Sequence, residues 1–357
     1  MELVTTVRLN NVARHVDGFA VLSDVTFEAG DGEFVALIGP SGAGKTSTIR
    51  AVAGFDQITS GSISFGTDDV TYHTPHQRDI SVVTQGSTLF PTHQVRRNLA
   101  FPLLARAFQR REINKRVEAE SRALNIDHIL DRWPAHLSAG EQQLAQIARA
   151  MVRVPRVFLM DEPLANLDPP TKNRLREELV LLQRGYGVTT LYVATRPSEI
   201  RTMPDKVVAL DQGRVVQVGP PREVHTQPAT RSIAELTGPI GWLDGTVETD
   251  GSRQFIRGHD FEISAWAPEL KSLIGQSVTV GARPVDVELV TATGIGLRAA
   301  DTSYDGPSVL RQLTSDAGTL LIRDADVKPG DRVNVTLRRF LLYGSDGRLL
   351  LTLGPDA

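Results

Sequence analysis

Eight consecutive residues constrain this chain more than anything else in it: Gly39-Pro40-Ser41-Gly42-Ala43-Gly44-Lys45-Thr46 satisfies the pattern G-x-x-x-x-G-K-[ST]. The run Phe34-Val35-Ala36-Leu37-Ile38 ahead of it reads as a buried strand. Helical character follows from about Lys45 to Ala53, with Gly54 as the stop. Strand, glycine loop and helix in that order make a cradle for phosphate. The glycines let backbone N–H groups converge on phosphate oxygens, and the helix points its positive end at them. Lys45 is then placed to neutralise the β- and γ-phosphates. The Thr46 hydroxyl is placed to ligate Mg²⁺, and Ser47 completes the run expected at the nucleotide. A chance glycine turn before a helix is the bland alternative, and the order of the elements argues against it.

A second buried strand, Val157-Phe158-Leu159-Met160, ends in Asp161-Glu162. On its own an acidic pair after a strand is often a turn. With a phosphate loop upstream, Asp161 is expected to hold Mg²⁺ through its water shell and Glu162 to act as general base on an attacking water. A helix rich in Arg, Glu and Leu follows from Asn173 to Arg184, then a third strand from Thr189 to Ala194. Strands alternating with helices predict an α/β fold with a largely parallel sheet. Between them, Arg111 to Val117 reads as a charged amphipathic helix, with Ile113 and Val117 on one face. Leu137-Ser138-Ala139-Gly140-Glu141 leads into another helix, and by itself reads as an ordinary N-cap.

With 357 residues, the chain is long enough for two domains at about 100–200 residues each. The division is expected at 1–237 and 238–357. Beyond it the helical pattern gives way to short β-type runs (276–280, 285–290, 320–323, 332–337 and 349–353) with Gly, Asp and Pro turns, which read as a small barrel-like β domain. Gly238-Pro239-Ile240-Gly241 is the expected linker. There are no cysteines, which excludes disulfides, thiolate metal sites and cysteine nucleophiles. A net charge of −3 argues against a surface built to grip nucleic acid or anionic lipid. No apolar run approaches the roughly 18–20 residues a membrane helix needs. The N-terminus lacks a signal-peptide core.

Taken together, these motifs resemble an ABC ATPase of the importer type, close to the sugar-importer ATP-binding subunits of the maltose and glycerol-phosphate kind. The resemblance covers nearly the whole chain. Residues 39–46 match the Walker A motif, Gln85 the Q-loop, 137–141 the LSGGQ signature, 157–162 Walker B, and Ala165-Asn166-Leu167-Asp168 the D-loop. Gly281 to Val287 resembles a stretch of the family's accessory C-terminal domain. The resemblance implies a P-loop NTPase (RecA-like) core with a helical subdomain at about 88–153, followed by a β-rich, OB-like domain. It implies ATP and Mg²⁺ as cofactors, with Gln85 sensing the nucleotide and reaching the metal. It also implies a head-to-tail dimer in which Ser138, the Gly140 N–H and Asp168 complete the partner's ATP site. The expected partners are two transmembrane permease subunits, an extracytoplasmic solute-binding protein and a second ATPase subunit, a homodimer being expected. The location is the cytoplasmic face of the cell membrane.

The sequence departs from this family at several positions. The strand Leu191-Tyr192-Val193 should lead into Thr-His-Asp, and here Thr195 stands at the switch-histidine position, within Ala194-Thr195-Arg196. Its hydroxyl is short and carries no charge. Losing one donor aimed at developing charge costs about 10²–10³ in rate. In the signature, Ala139 replaces a glycine and Glu141 a glutamine. The adenine-stacking aromatic aligns with Val16, with His15 and Phe19 as substitutes nearby. The leading reading is a transport ATPase for a solute of the sugar class. The alternative is a nucleotide-gated regulatory or structural subunit with little catalysis, which Thr195 favours and Glu162 opposes. A soluble ABC protein of translation or DNA repair is a third, and the chain shows neither the tandem cassettes nor the long coiled-coil insertions expected of one.

Overall fold

A computed structural model describes residues 5–354 apart from positions 85, 87, 166, 252, 266, 292–293 and 306–307. The chain divides into two compact units between Arg222 and Glu223.

The first unit carries two sheets. Strands β1 (Val7–Val16), β2 (Phe19–Ala29), β4 (Ser60–Phe65) and β5 (Asp68–Asp69) form an antiparallel sheet in the order β2-β1-β4-β5. The other sheet runs β10-β9-β3-β8-β7-β6. It is built from β3 (Phe34–Ile38), β6 (Ile80–Val83), β7 (Val157–Asp161), β8 (Thr189–Val193), β9 (Lys206–Asp211) and β10 (Arg214–Gly219). Its inner pairings are parallel, and only β10 on β9 is antiparallel. Every residue of β3 and β8 is buried, as expected of parallel strands covered on both faces. Helix α1 (Lys45–Ala53) joins both sheets in one apolar core through Ile49, Val52 and Ala53, packed with Leu9, Phe65, Leu37 and Leu159.

The helical segment holds α2 (Val95–Leu104), α3 (Arg110–Ala123) and α4 (Ala139–Met151). In α3 the buried face carries Ile113 and Val117, the pair expected from the sequence. Beyond β7 come α5 (Pro169–Tyr186) and α6 (Pro197–Thr202). Asp168 caps α5 ahead of Pro169 and Pro170, where a missing N–H costs nothing.

The two units part inside α7 (Pro221–Thr226), ahead of the boundary expected at 238. Helix α8 (Arg231–Thr237) and the Gly238–Gly241 stretch belong to the second unit. The cause is long-range: Ala234 and Ile240 pack with Leu341 and Tyr343, and the Tyr343 hydroxyl donates to Pro228 O at 3.0 Å. Arg283 donates to Gly238 O at 2.6 Å and to Thr237 Oγ1 at 2.8 Å. A Gly-Pro segment that looks like a linker is therefore fastened by a side chain far along the sequence.

This unit is β-rich and antiparallel. One eleven-stranded sheet has the main order β15-β19-β16-β17-β18-β11-β14-β20-β21, with β12 pairing β11 and β13. Its strands are β11 (Gly241–Thr249), β12 (Gln254–Arg257), β13 (Glu262–Ala265), β14 (Ser277–Ala282), β15 (Val287–Val290), β16 (Ile295–Asp305), β17 (Ser308–Ser315), β18 (Gly318–Arg323), β19 (Arg332–Leu337), β20 (Phe340–Tyr343) and β21 (Leu349–Leu353).

Candidate nucleotide site

Three parallel strands set the site. Leu37 of β3 and Asp161 of β7 both pair with Val193 of β8, so the carboxyl ends of these strands stand abreast. That edge is where open α/β sheets bind ligands. The phosphate loop leaves β3 through Gly39, whose φ is +152°; a Cβ there would lie 2.2 Å from Leu210 O, so only glycine fits. Gly44 enters α1 at φ +99°, with a would-be Cβ 2.8 Å from Leu22 Cδ2. Between these two pivots, the backbone of Pro40, Ser41, Gly42 and Ala43 curls ahead of the α1 N-terminus.

Lys45 is buried and arches back over the loop, donating to Gly39 O at 2.8 Å and Pro40 O at 2.9 Å. Burial lowers its pKa, and the charges of Glu162 and Asp161 oppose that shift. Thr46 donates from its hydroxyl to Asp161 Oδ1 at 3.2 Å. Burial raises the pKa of the Asp161 carboxyl, against the Thr46 hydrogen bond and the positive charges of Lys45 and Arg50. Glu162 follows at φ +47°, a left-handed conformation that a glutamate adopts only when its surroundings enforce it.

Thr46 and Asp161 supply adjacent hard oxygen donors, which suits Mg²⁺ held by one carboxylate with phosphates and waters. Among the described residues no group of three or more His, Cys, Asp or Glu gathers into a metal cluster. Gln85, the third residue expected at the metal, lies outside the described residues.

Ser138, Gly140 and Asp168 gather elsewhere, at the adjoining N-termini of α4 and α5. The Ser138 hydroxyl accepts from Glu141 N at 3.3 Å, and the Glu141 carboxylate accepts from Ser138 N at 2.8 Å, a closed capping box. Gly140 lies against Thr171, whose Cγ2 would be 2.8 Å from an added Cβ. Asp168 accepts from Thr171 N at 3.0 Å. Thr195 is exposed just past β8, and Ala194 N donates to Leu37 O at 3.1 Å, which holds this turn at the edge where the phosphate loop begins. Val16 pairs with Phe19 across a tight turn at Asp17-Gly18; Val16 is 38% exposed and Phe19 78%.

The ABC transporter family profile matches residues 22–165, the stretch that holds the phosphate loop, the signature and the acidic strand. The sn-glycerol-3-phosphate import ATP-binding protein of Brucella abortus is 34% identical over 355 residues, covering 95% of this chain and 97% of that protein. The chain belongs to the ABC transporter family. The trehalose/maltose import ATP-binding protein of Thermococcus litoralis is 38% identical over 294 residues, 79% of this chain and 78% of that one. A spermidine/putrescine import ATP-binding protein of Rubrobacter xylanophilus is 33% identical over 352 residues, 95% of this chain and 93% of its own length. Among solved structures, cbiO1 from Clostridium perfringens, part of the ABC transporter complex cbiONQ, has a TM-score of 0.58 at 26% identity, covering 62% of this chain and 90% of that one.

As an ABC ATPase, the chain keeps its phosphate loop and acidic strand in register and carries Thr195, not histidine, just past β8. Two residues bearing on the site were not apparent from the sequence. Lys172, buried on α5, donates to Ala165 O at 2.7 Å and so pins the loop after Glu162. Arg78, 2% exposed, donates to Ala51 O and Val52 O at the end of α1, both at 2.8 Å. Neither sits in a recognisable motif. Each looks like one more charge in a polar stretch, and only the fold turns it inward.

Proposed function

We propose that this ABC ATPase is the ATP-binding subunit of an importer for sugars or sugar phosphates. It attaches peripherally to the cytoplasmic face of the membrane through two permease subunits, is served by a solute-binding protein, and works as a homodimer that sandwiches ATP. The observation that carries the reading is the phosphate loop joined to Asp161 through Thr46, with Glu162 beside them, in a chain spanning nearly the full length of a glycerol-phosphate import ATP-binding protein. Among the described residues no helix is long and apolar enough to cross a membrane. In this reading solute passes through the separate permease subunits.

In this reading the phosphate loop and Lys45 orient the triphosphate. Thr46 and Asp161 would hold Mg²⁺, which would supply charge neutralisation at the phosphates. Glu162 takes the proton of the attacking water, and Gln85 and Thr195 help to place that water and the γ-phosphate. Ser138, the Gly140 N–H and Asp168 complete the site of the facing subunit, and the β1–β2 hairpin tip at Val16 and Phe19 lies at the adenine. ATP closes the dimer only through its greater affinity for the closed state.

Thr195 favours a second reading, a nucleotide-gated subunit with slow turnover. Steady-state hydrolysis by the purified protein and by the assembled transporter, with Glu162→Gln and Thr195→His variants, separates the two. Hydrolysis abolished by Glu162→Gln supports the ATPase reading. ATP binding without hydrolysis, even with permease and loaded binding protein, moves the protein to the second class.

A further inference from the structure

We propose that Arg132 is the counter-charge that draws the Glu141 carboxylate away from the N-terminus of α4, so that this helix end can receive a phosphate of ATP. The inference rests on the proposed ATP-sandwiching dimer, in which α4 faces the partner's nucleotide.

A helix N-terminus attracts anions through its unsatisfied N–H groups and its dipole. In this chain that end already holds an anion of its own. Glu141 Oε2 accepts from Ser138 N at 2.8 Å, and Glu141 N donates to the Ser138 hydroxyl at 3.3 Å. Ser138 is one of the groups that would meet a γ-phosphate, next to the Gly140 N–H, so the Glu141 carboxylate occupies the same helix end. The hydrogen bond from Ser138 N holds the Glu141 carboxyl below the usual carboxylate range, with Arg132 and His128 adding to the shift. The group is therefore ionised at neutral pH, and an arriving phosphate meets a full negative charge. A glutamine, the residue of the family's signature, caps the same N–H without that charge.

Glu141 has a second seat within reach. Its other oxygen, Oε1, faces Arg132 Nη1 at 3.7 Å and His128 Nε2 at 3.9 Å. Both side chains come from the Asp127–Trp133 segment, which leads into α4. The carboxylate thus stands between the two positions, bonded to the helix end and short of a close contact with Arg132. A rotation of the side chain exchanges the Ser138 N–H for Arg132 and leaves the Ser138 backbone and hydroxyl to the phosphate. Arg132 is a positioning residue in this scheme: it acts on the nucleotide through Glu141.

The test uses the full-length protein carrying Glu162→Gln. It reads the ATP concentration at which nucleotide is trapped through a desalting column to half its maximal extent, with ADP affinity as a control for the phosphate loop. Arg132→Gln should raise the half-trapping concentration roughly three- to tenfold, since a half-exposed ion pair acts at each of two sites. ADP affinity should stay put. Glu141→Gln should lower the concentration, and adding Arg132→Gln to Glu141→Gln should change it less than about twofold. Arg132→Lys should retain most of the effect. Trapping by Arg132→Gln equal to the parent overturns the proposal. So does an equal loss in the Glu141→Gln background, which would make Arg132 a direct nucleotide contact or a purely structural residue. If the Glu162→Gln parent binds ADP but traps no ATP at any concentration, the sandwich reading itself fails and the inference falls with it.

Discussion

Arg78 makes four hydrogen bonds to backbone carbonyls: Ala51 and Val52 at the end of α1, Thr71, and His73, at 2.8, 2.8, 2.9 and 2.9 Å. It is 2% exposed, and burial lowers the pKa of its guanidinium. Arg78→Met keeps most of the side-chain volume and removes every donor. Hydrogen bonds to a charged group contribute about 1.5–3 kcal/mol each. Against that, the cost of burying the cation is returned when it is deleted. The balance expected is a loss of about 3–5 kcal/mol, since the carbonyls left behind are inaccessible to water. For a unit of this size that corresponds to roughly 6–20 °C in melting temperature. Scanning calorimetry of the full-length protein should show one transition lowered by that amount. Mg-ATP should restore part of it, because the ligand binds only the folded phosphate loop at the start of α1. Arg78→Lys, with a single nitrogen, should fall between. A Met variant melting within about 2 °C of the parent would refute the reasoning, since it would mean that α1 ends in water rather than on Arg78.

Three further outcomes are expected. Glu120 is 3% exposed and accepts from the Tyr186 hydroxyl; burial raises its pKa above the ordinary 4.5. A raised carboxyl favours the folded state below that ordinary value and loses this contribution as pH climbs through the elevated one. Glu120→Gln should therefore melt above the parent near neutral pH, with the gap closing toward pH 4.5; a gap independent of pH would contradict this. Phe19→Ala should weaken ATP binding roughly tenfold while leaving tripolyphosphate binding unchanged, if the hairpin tip stacks the base. Equal losses for both ligands would remove Phe19 from the adenine. Lys172→Met frees Ala165 O and should slow hydrolysis by about tenfold with nucleotide affinity retained, a kcat effect that unchanged turnover would exclude.

The legible parts of this protein were those governed by neighbours in sequence. The helix expected from Lys45 to Ala53 with a stop at Gly54 is α1, and Gly54 takes φ +75°, the left-handed cap glycine favours. The strand ending at Asp161 and the strand ahead of Thr195 were equally readable, because continuous apolar runs leave few alternatives to a buried parallel strand. In the second unit, 332–337 and 349–353 stood out, whereas β12, β16 and β17 did not. The buried residues of β17, Leu310 and Leu313, are not two apart in a regular alternation, so period-two patterning has little to act on.

By itself, the sequence determined the strand, glycine loop and helix from Phe34 to Ala53, the strand that ends at Asp161, and that a β-rich unit would follow. Those features rest on φ/ψ demands and hydrophobic periods that span a few residues. Only the tertiary structure decided that Gly238–Gly241 is held by Arg283 rather than left as a linker, that Arg78 closes the end of α1, that Lys172 pins Ala165, and that Arg132 and His128 approach Glu141. In each of these a charged side chain is turned onto backbone or onto another charge by the packing of elements. No local pattern distinguishes such a side chain from one that faces water.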